Sequence, residues 1–149
     1  MNLAGLIEDS IIDGEGIRTV IFISGCNHNC KGCHNKAAQS FDYGKQFTLE
    51  LQDEIINKVK NNELCDGITI SGGDPLYHCE ELTTFLKMFK AMCPEKSVWL
   101  YTGFTYDNLP ENTPLEYIDV MVDGLYKEEL KDYDPSNFRG STNQNIIRR

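Results

Sequence analysis

The chain has 149 residues, 40% of them hydrophobic and 25% charged, with a formal net charge of −9. That is the length of one domain with enough apolar content for a core, but too short for a closed eight-stranded barrel of ~250 residues. The acidic balance and the lack of a basic stripe argue against a nucleic-acid partner, and no apolar run or leading signal pattern suits a membrane, so a cytoplasmic location is expected.

Leu3 to Ile12 mixes apolar residues with Glu8, Asp9 and Ser10 and reads as a short strand or a lead-in segment. Asp13-Gly14 and Gly16 are turn signals. Arg18 to Ser24 is short and rich in β-branched and aromatic residues, the pattern of a buried strand. Directly after it come Cys26, Cys30 and Cys33 in a C-x3-C-x2-C array. Thiolates this close point at one centre, most simply a metal. Structural zinc wants four protein ligands, which His28 or His34 could complete. A cluster of four irons wants one ligand per iron, so three cysteines leave one iron open to a small molecule.

Lys36 to Gln46 reads as a short helix or loop. Thr48 is a plausible cap for an amphipathic helix running to Asn61, with Leu51, Ile55 and Val59 at helical spacing. Asp66 to Ile70 is a second buried strand, and it ends in Ser71-Gly72-Gly73-Asp74-Pro75. Paired glycines there let a backbone approach a ligand closely. Glu80 to Met92 is the clearest helix, with Leu82, Phe85, Leu86 and Phe89 on one face. Ser97 to Tyr101 is a third strand, running into Thr102-Gly103; Trp99 reads as core.

Ile118 to Val122 is a fourth strand. Asp119 within it needs a partner, either backbone or an arginine, for which Arg18 and Arg139 are candidates. Lys127 to Asp132 reads as a short charged helix, and Arg139 to Gln144 as a polar loop fit to fix a strand end or meet a partner. Cys65, Cys79 and Cys93 lack ligand spacing and read as small hydrophobes. His28 and His78 read as lone histidines, solvated or locally hydrogen-bonded. Strands alternating with helices predict a parallel sheet with helices outside, four to five strands long and too short to close a ring.

C-x3-C-x2-C is the cluster motif of the radical S-adenosylmethionine (SAM) enzymes. Together with the run from Asp13 to Val20, Gly25-Cys26-Asn27 and Cys33-His34-Asn35, it makes the chain resemble the glycyl-radical-enzyme activases. The small size, and the Arg139 to Gln144 segment, make it most similar to those that serve the anaerobic ribonucleoside-triphosphate reductase. The likeness runs from about Gly5 to Ile147. It departs at Glu15, where many activases carry proline, and at Gly32, where many radical SAM enzymes carry an aromatic.

The resemblance implies an α/β fold, a partial, open (β/α) barrel of the radical SAM type with a shortened parallel sheet, as a single domain over residues 1–149. It implies a [4Fe-4S] cluster on Cys26, Cys30 and Cys33, with SAM chelated at the open iron. It carries SAM contacts to Gly32, Cys33 and His34, to Ser71, Gly72, Gly73 and Asp74, and to Tyr101 and Thr102, and names no separate catalytic side chain. Gly73 and Asp74, in the Ser71–Asp74 loop, would hold the SAM amino group. The implied reaction is reductive cleavage of SAM to methionine and a 5′-deoxyadenosyl radical, which makes a glycyl radical on the reductase large subunit. The implied electron donor is of the flavodoxin or ferredoxin type. Rival readings are the activase of another glycyl radical enzyme, another small radical SAM enzyme, and a non-catalytic Cys3His zinc or electron-transfer module.

Overall fold

The computed structural model describes residues 1–149. Seven strands form one sheet: β1 (Asn2–Ser10), β2 (Arg18–Ile23), β3 (Lys45–Gln46), β4 (Gly67–Gly72), β5 (Ser97–Tyr101), β6 (Val120–Asp123) and β7 (Asn145–Arg148). Their order across the sheet is β3-β1-β2-β4-β5-β6-β7. The four central strands, β2, β4, β5 and β6, run parallel. Antiparallel strands extend this core on both sides, β1 and β3 beyond β2, and β7 beyond β6. The sheet is therefore mixed and longer than expected, because the lead-in segment is a nine-residue strand and the Ile146–Ile147 segment pairs with β6.

Two α-helices make the crossovers, α1 (Leu49–Asn61) between β2 and β4 and α2 (Cys79–Met92) between β4 and β5. Thr48 caps α1 by accepting the Leu51 N–H at 3.2 Å. At the other end, Lys96 Nζ donates to the carbonyls of Val59, Asn62 and Cys65 at 2.7, 2.7 and 2.8 Å. A cation at a helix C-terminus both satisfies orphan acceptors and opposes the helix dipole. The charged segment after β6 forms only a 3-10 turn, Glu128–Leu130, in place of the expected helix.

Period-two alternation divides each central strand between two layers. Ile21, Ile23, Ile68, Ile70, Val98, Leu100 and Met121 pack with Ile55, Ile56 and Val59 of α1 and Leu82, Phe85, Leu86 and Phe89 of α2 in a core of 20 buried residues. Each such side chain contributes roughly 1.5–3 kcal/mol by leaving water. Trp99, Val120 and Val122 form a smaller cluster with Tyr101, Phe138 and Ile146. No helix is long and apolar enough to cross a membrane.

Asp119 stands just ahead of β6, and its partners are neither Arg18 nor Arg139. Its Oδ2 accepts Lys90 Nζ at 2.6 Å and the Val98 N–H at 2.7 Å. Lys90 reaches it from the last turn of α2, where a cation is favoured. Arg139 pairs instead with Asp132 at 2.8 Å. Arg18 is buried at the start of β2, where its guanidinium donates to Thr69 Oγ1, Ser97 Oγ and the carbonyls of Glu15, Ile68 and Ser97 at 2.7–3.0 Å. Burial lowers it to about 10, so it is still charged at neutral pH.

Candidate functional site

Parallel α/β sheets bind ligands beyond the C-terminal ends of their strands. At that edge of this sheet lies a cavity of ≈ 190 Å³, whereas a single water needs only ~10–15 Å³. The loop after β2 gives it Cys26, His28, Cys30, Cys33 and His34, and the end of β4 gives it Ser71 and Gly72, followed by Gly73. The end of β5 adds Tyr101, Thr102 and Gly103. Of the site residues read from the sequence, Gly32 and Asp74 stand outside this wall. A Cβ on Gly32 would fall 2.8 Å from the Glu128 carboxyl group. Asp74 lies directly behind the wall, fully buried.

The cysteine loop is closed at its base by backbone hydrogen bonds, Gly25 N–H to the Ala38 carbonyl at 2.7 Å and Cys26 N–H to the Gln39 carbonyl at 3.0 Å. It is tied to the end of β4 by Asp74 N–H donating to the Gly25 carbonyl at 2.9 Å. Asn35 Nδ2 donates to the Gly72 carbonyl at 3.3 Å. The two glycines at the end of β4 are required by close backbone approach, of β2 to Gly72 and of the cysteine loop to Gly73. Gly72 has φ +120°, and a Cβ there would sit 2.3 Å from the Ile23 carbonyl oxygen; one on Gly73 would sit 2.6 Å from that of Ala38.

The Asp74 carboxylate is saturated by the protein. Oδ1 accepts the Leu76 N–H at 3.0 Å, and both oxygens accept the Thr102 hydroxyl at 3.0 and 2.9 Å. Oδ2 also accepts the Gly103 N–H at 2.8 Å and lies 2.6 Å from His28 Nε2. His28 thus has a specific partner 46 residues away, which a local reading of a lone histidine misses. Tyr101 turns its hydroxyl to the Phe138 carbonyl at 2.6 Å.

Several lining residues are not among those assigned to the site from the sequence. Gly124, Tyr126, Gly140 and Gln144 come from the segments after β6 and before β7. Tyr126 packs against His34 with ring centroids 5.0 Å apart. Gln144 joins the two segments: its Oε1 accepts the Gly140 and Ser141 N–H groups, and its Nε2 donates to the Gly124 carbonyl. The Arg139 to Gln144 run, read as a loop rich in donors, therefore spends some of them on building the cavity wall.

Burial pushes the Cys26 thiol up to about 11, with Asp74 and the two neighbouring thiols adding to the effect and the His28 N–H opposing it. Cys30 is also raised by burial, against a hydrogen bond from the Tyr126 N–H. Cys26 and Cys30 are therefore protonated at neutral pH in the bare chain, and ligation must displace their protons. No three His, Cys, Asp or Glu side chains gather closely enough to hold one ion. A tetrahedral zinc with Zn–S ~2.3 Å would need its sulfurs within about 4 Å of one another. Thiols spread round one roomy cavity suit a cluster, which takes each thiolate on a separate iron.

Comparison with known proteins agrees with this chemistry. Residues 12–147 match the family described as a 4Fe-4S single cluster domain. The chain is 41% identical to the anaerobic ribonucleoside-triphosphate reductase-activating protein of Haemophilus influenzae, over 99% of this chain and 98% of that one. It is 40% identical to the protein of the same name from Escherichia coli K12, over 90% of each chain. It is 34% identical to the one from Enterobacteria phage T4, over 98% of this chain and 93% of the relative.

Proposed function

The chain belongs to the family of anaerobic ribonucleoside-triphosphate reductase-activating proteins, a 4Fe-4S family, and from that premise we propose that it makes a glycyl radical on this reductase by reductive cleavage of SAM. The observation that carries the proposal is the convergence of three thiols and a double-glycine strand end on one cavity beyond the parallel strands.

Cys26, Cys30 and Cys33 hold the [4Fe-4S] cluster, which leaves one iron without a side-chain ligand. When bound, the cluster supplies one electron to the sulfonium of SAM, so that the C5′–S bond breaks to methionine and a 5′-deoxyadenosyl radical that takes a hydrogen atom from a glycine Cα of the reductase. The chain's own work is binding, orientation and exclusion of water. The peptide groups of the Ser71–Asp74 segment receive the amino end of SAM. The Gly32–His34 backbone borders the adenine. Tyr101 and Thr102 close the third side, at the end of β5. Glycine suits the role of substrate because it has no Cβ to block approach.

The shape assigned to this reading is an open partial (β/α) barrel in a single domain. The four parallel strands and the two crossover helices, which pack with them in the larger core, support it. The electron comes from a flavodoxin or ferredoxin-type donor, and the setting is cytoplasmic. The test is anaerobic incubation of the reconstituted protein with the reductase large subunit, SAM and a one-electron reductant. A glycyl EPR doublet and a matching yield of 5′-deoxyadenosine are expected. Cleavage of SAM with no doublet would refute the choice of substrate.

A further inference from the structure

Asp74 is the residue that the family resemblance carries to the SAM amino group, but its surroundings suit another task. We infer that Asp74 and His28 form a clamp that holds the cysteine loop in its cluster-binding shape, and that the Asp74 carboxylate does not itself bind SAM. The inference rests on the proposed function and refines the same site.

Three observations carry it. First, the carboxylate accepts from Leu76 N, Thr102 Oγ1, Gly103 N and His28 Nε2, and is wholly buried. A carboxylate has about four lone-pair sites, so little capacity is left for an ammonium. Second, the His28 ring is packed against its neighbours on the side away from the cavity. Its ring lies 4.7 Å from Phe104 and 5.4 Å from Tyr77, centroid to centroid, and a Cβ on Gly103 would fall 2.6 Å from it. Third, His28 sits between two of the three cysteines, and its own N–H donates to Cys26 Sγ at 3.4 Å. A side chain anchored to the rigid end of β4 therefore fixes the backbone beside the first thiol. Without it, the loop from Asn27 to Gln39 would keep Asn35 as its side-chain tie to β4. Ligand sets held by such outer partners lose ~10–100-fold in metal affinity when the partner is removed.

The test is anaerobic reconstitution with iron and sulfide, followed by a chelator challenge, with iron per chain and SAM binding by equilibrium dialysis read separately. Asp74→Asn and His28→Ala are each expected to hold iron ~10-fold more weakly, and the double variant no more weakly than Asp74→Asn alone, because that change already breaks the contact to His28. His28→Gln, whose amide N–H can still reach Asp74, is expected to recover much of the loss. In variant chains that carry a full cluster, SAM binds as in the unaltered protein. Asp74→Asn with full iron and no SAM binding would overturn the inference, as would His28→Ala holding iron as tightly as the unaltered chain. Should Asp74→Asn fail to fold, the two His28 variants alone decide. An unaltered protein that takes up no iron would instead sink the proposed function.

Discussion

The two ends of the parallel sheet each bury charge and satisfy it in different ways. At the N-terminal end, Arg18 and Lys96 are surrounded by carbonyls and hydroxyls, without a carboxylate within hydrogen-bond reach. The donors of these two side chains all meet backbone or a strand side chain, so together they form a closed joint. At the C-terminal end, Asp74 meets N–H groups, a hydroxyl and one imidazole that belongs to the cysteine loop. The first arrangement holds strands and a helix end to one another. The second holds a functional loop to the strands. Charge buried in one fold can thus serve stability at one end and positioning at the other, and substitutions can tell the two apart.

The sharpest contrast is expected from Cys30→Ala. Losing one of three thiolates should remove the cluster and reduce SAM cleavage below detection, while the melting temperature of the metal-free chain changes little; a large fall in that temperature would break the contrast. Arg18→Met should do the reverse. It strands acceptors at Glu15, Ile68 and Ser97, at a cost of about 2–4 kcal/mol in chemical denaturation, while the variant that does fold still takes up iron. Lys96→Met should cost about 1–3 kcal/mol by uncapping α1, again without affecting iron. Gly103→Ala sharpens the other side: the new Cβ must push His28 off its position, and iron retention should fall as in His28→Ala while stability changes less than in Arg18→Met.

The smallest expected effect is on pH dependence. Cys26 is raised from an ordinary 9.0 to about 11 in the folded chain. A thiol that keeps its proton longer when folded contributes stability that is fully present below pH ~9 and lost as pH rises through the folded value. The metal-free protein should therefore lose stability between about pH 9 and 11 by thermal melts, and Cys26→Ser should flatten that part of the profile.

Much of this was legible in the chain. The four central strands and both helices announce themselves because their residues are buried on regular periods, as with Leu82, Phe85, Leu86 and Phe89 in α2. The edges were harder. β7 is four residues long and half-exposed, so its strand state comes from pairing with β6 rather than from its own pattern. β1 carries Glu8 and Asp9 on an exposed stretch, which obscures alternation. The cysteine triplet was readable because its ligands are close in sequence. The His28–Asp74 contact spans 46 residues and the Lys90–Asp119 pair 29; these, and the packing of Tyr126 on His34, depend on which strand ends the fold places side by side, which neither spacing nor composition encodes.

The close fit of Gly72 against Ile23 and of Gly73 against Gly25 and Ala38 has a practical result for anyone dissecting recognition at this corner. Side-chain scanning there will report on architecture, because a single methyl group already collides with main chain before any ligand is considered. Isotope-edited spectroscopy of the two peptide groups, or amide-to-ester replacement, would leave the packing intact and interrogate the hydrogen-bonding atoms themselves.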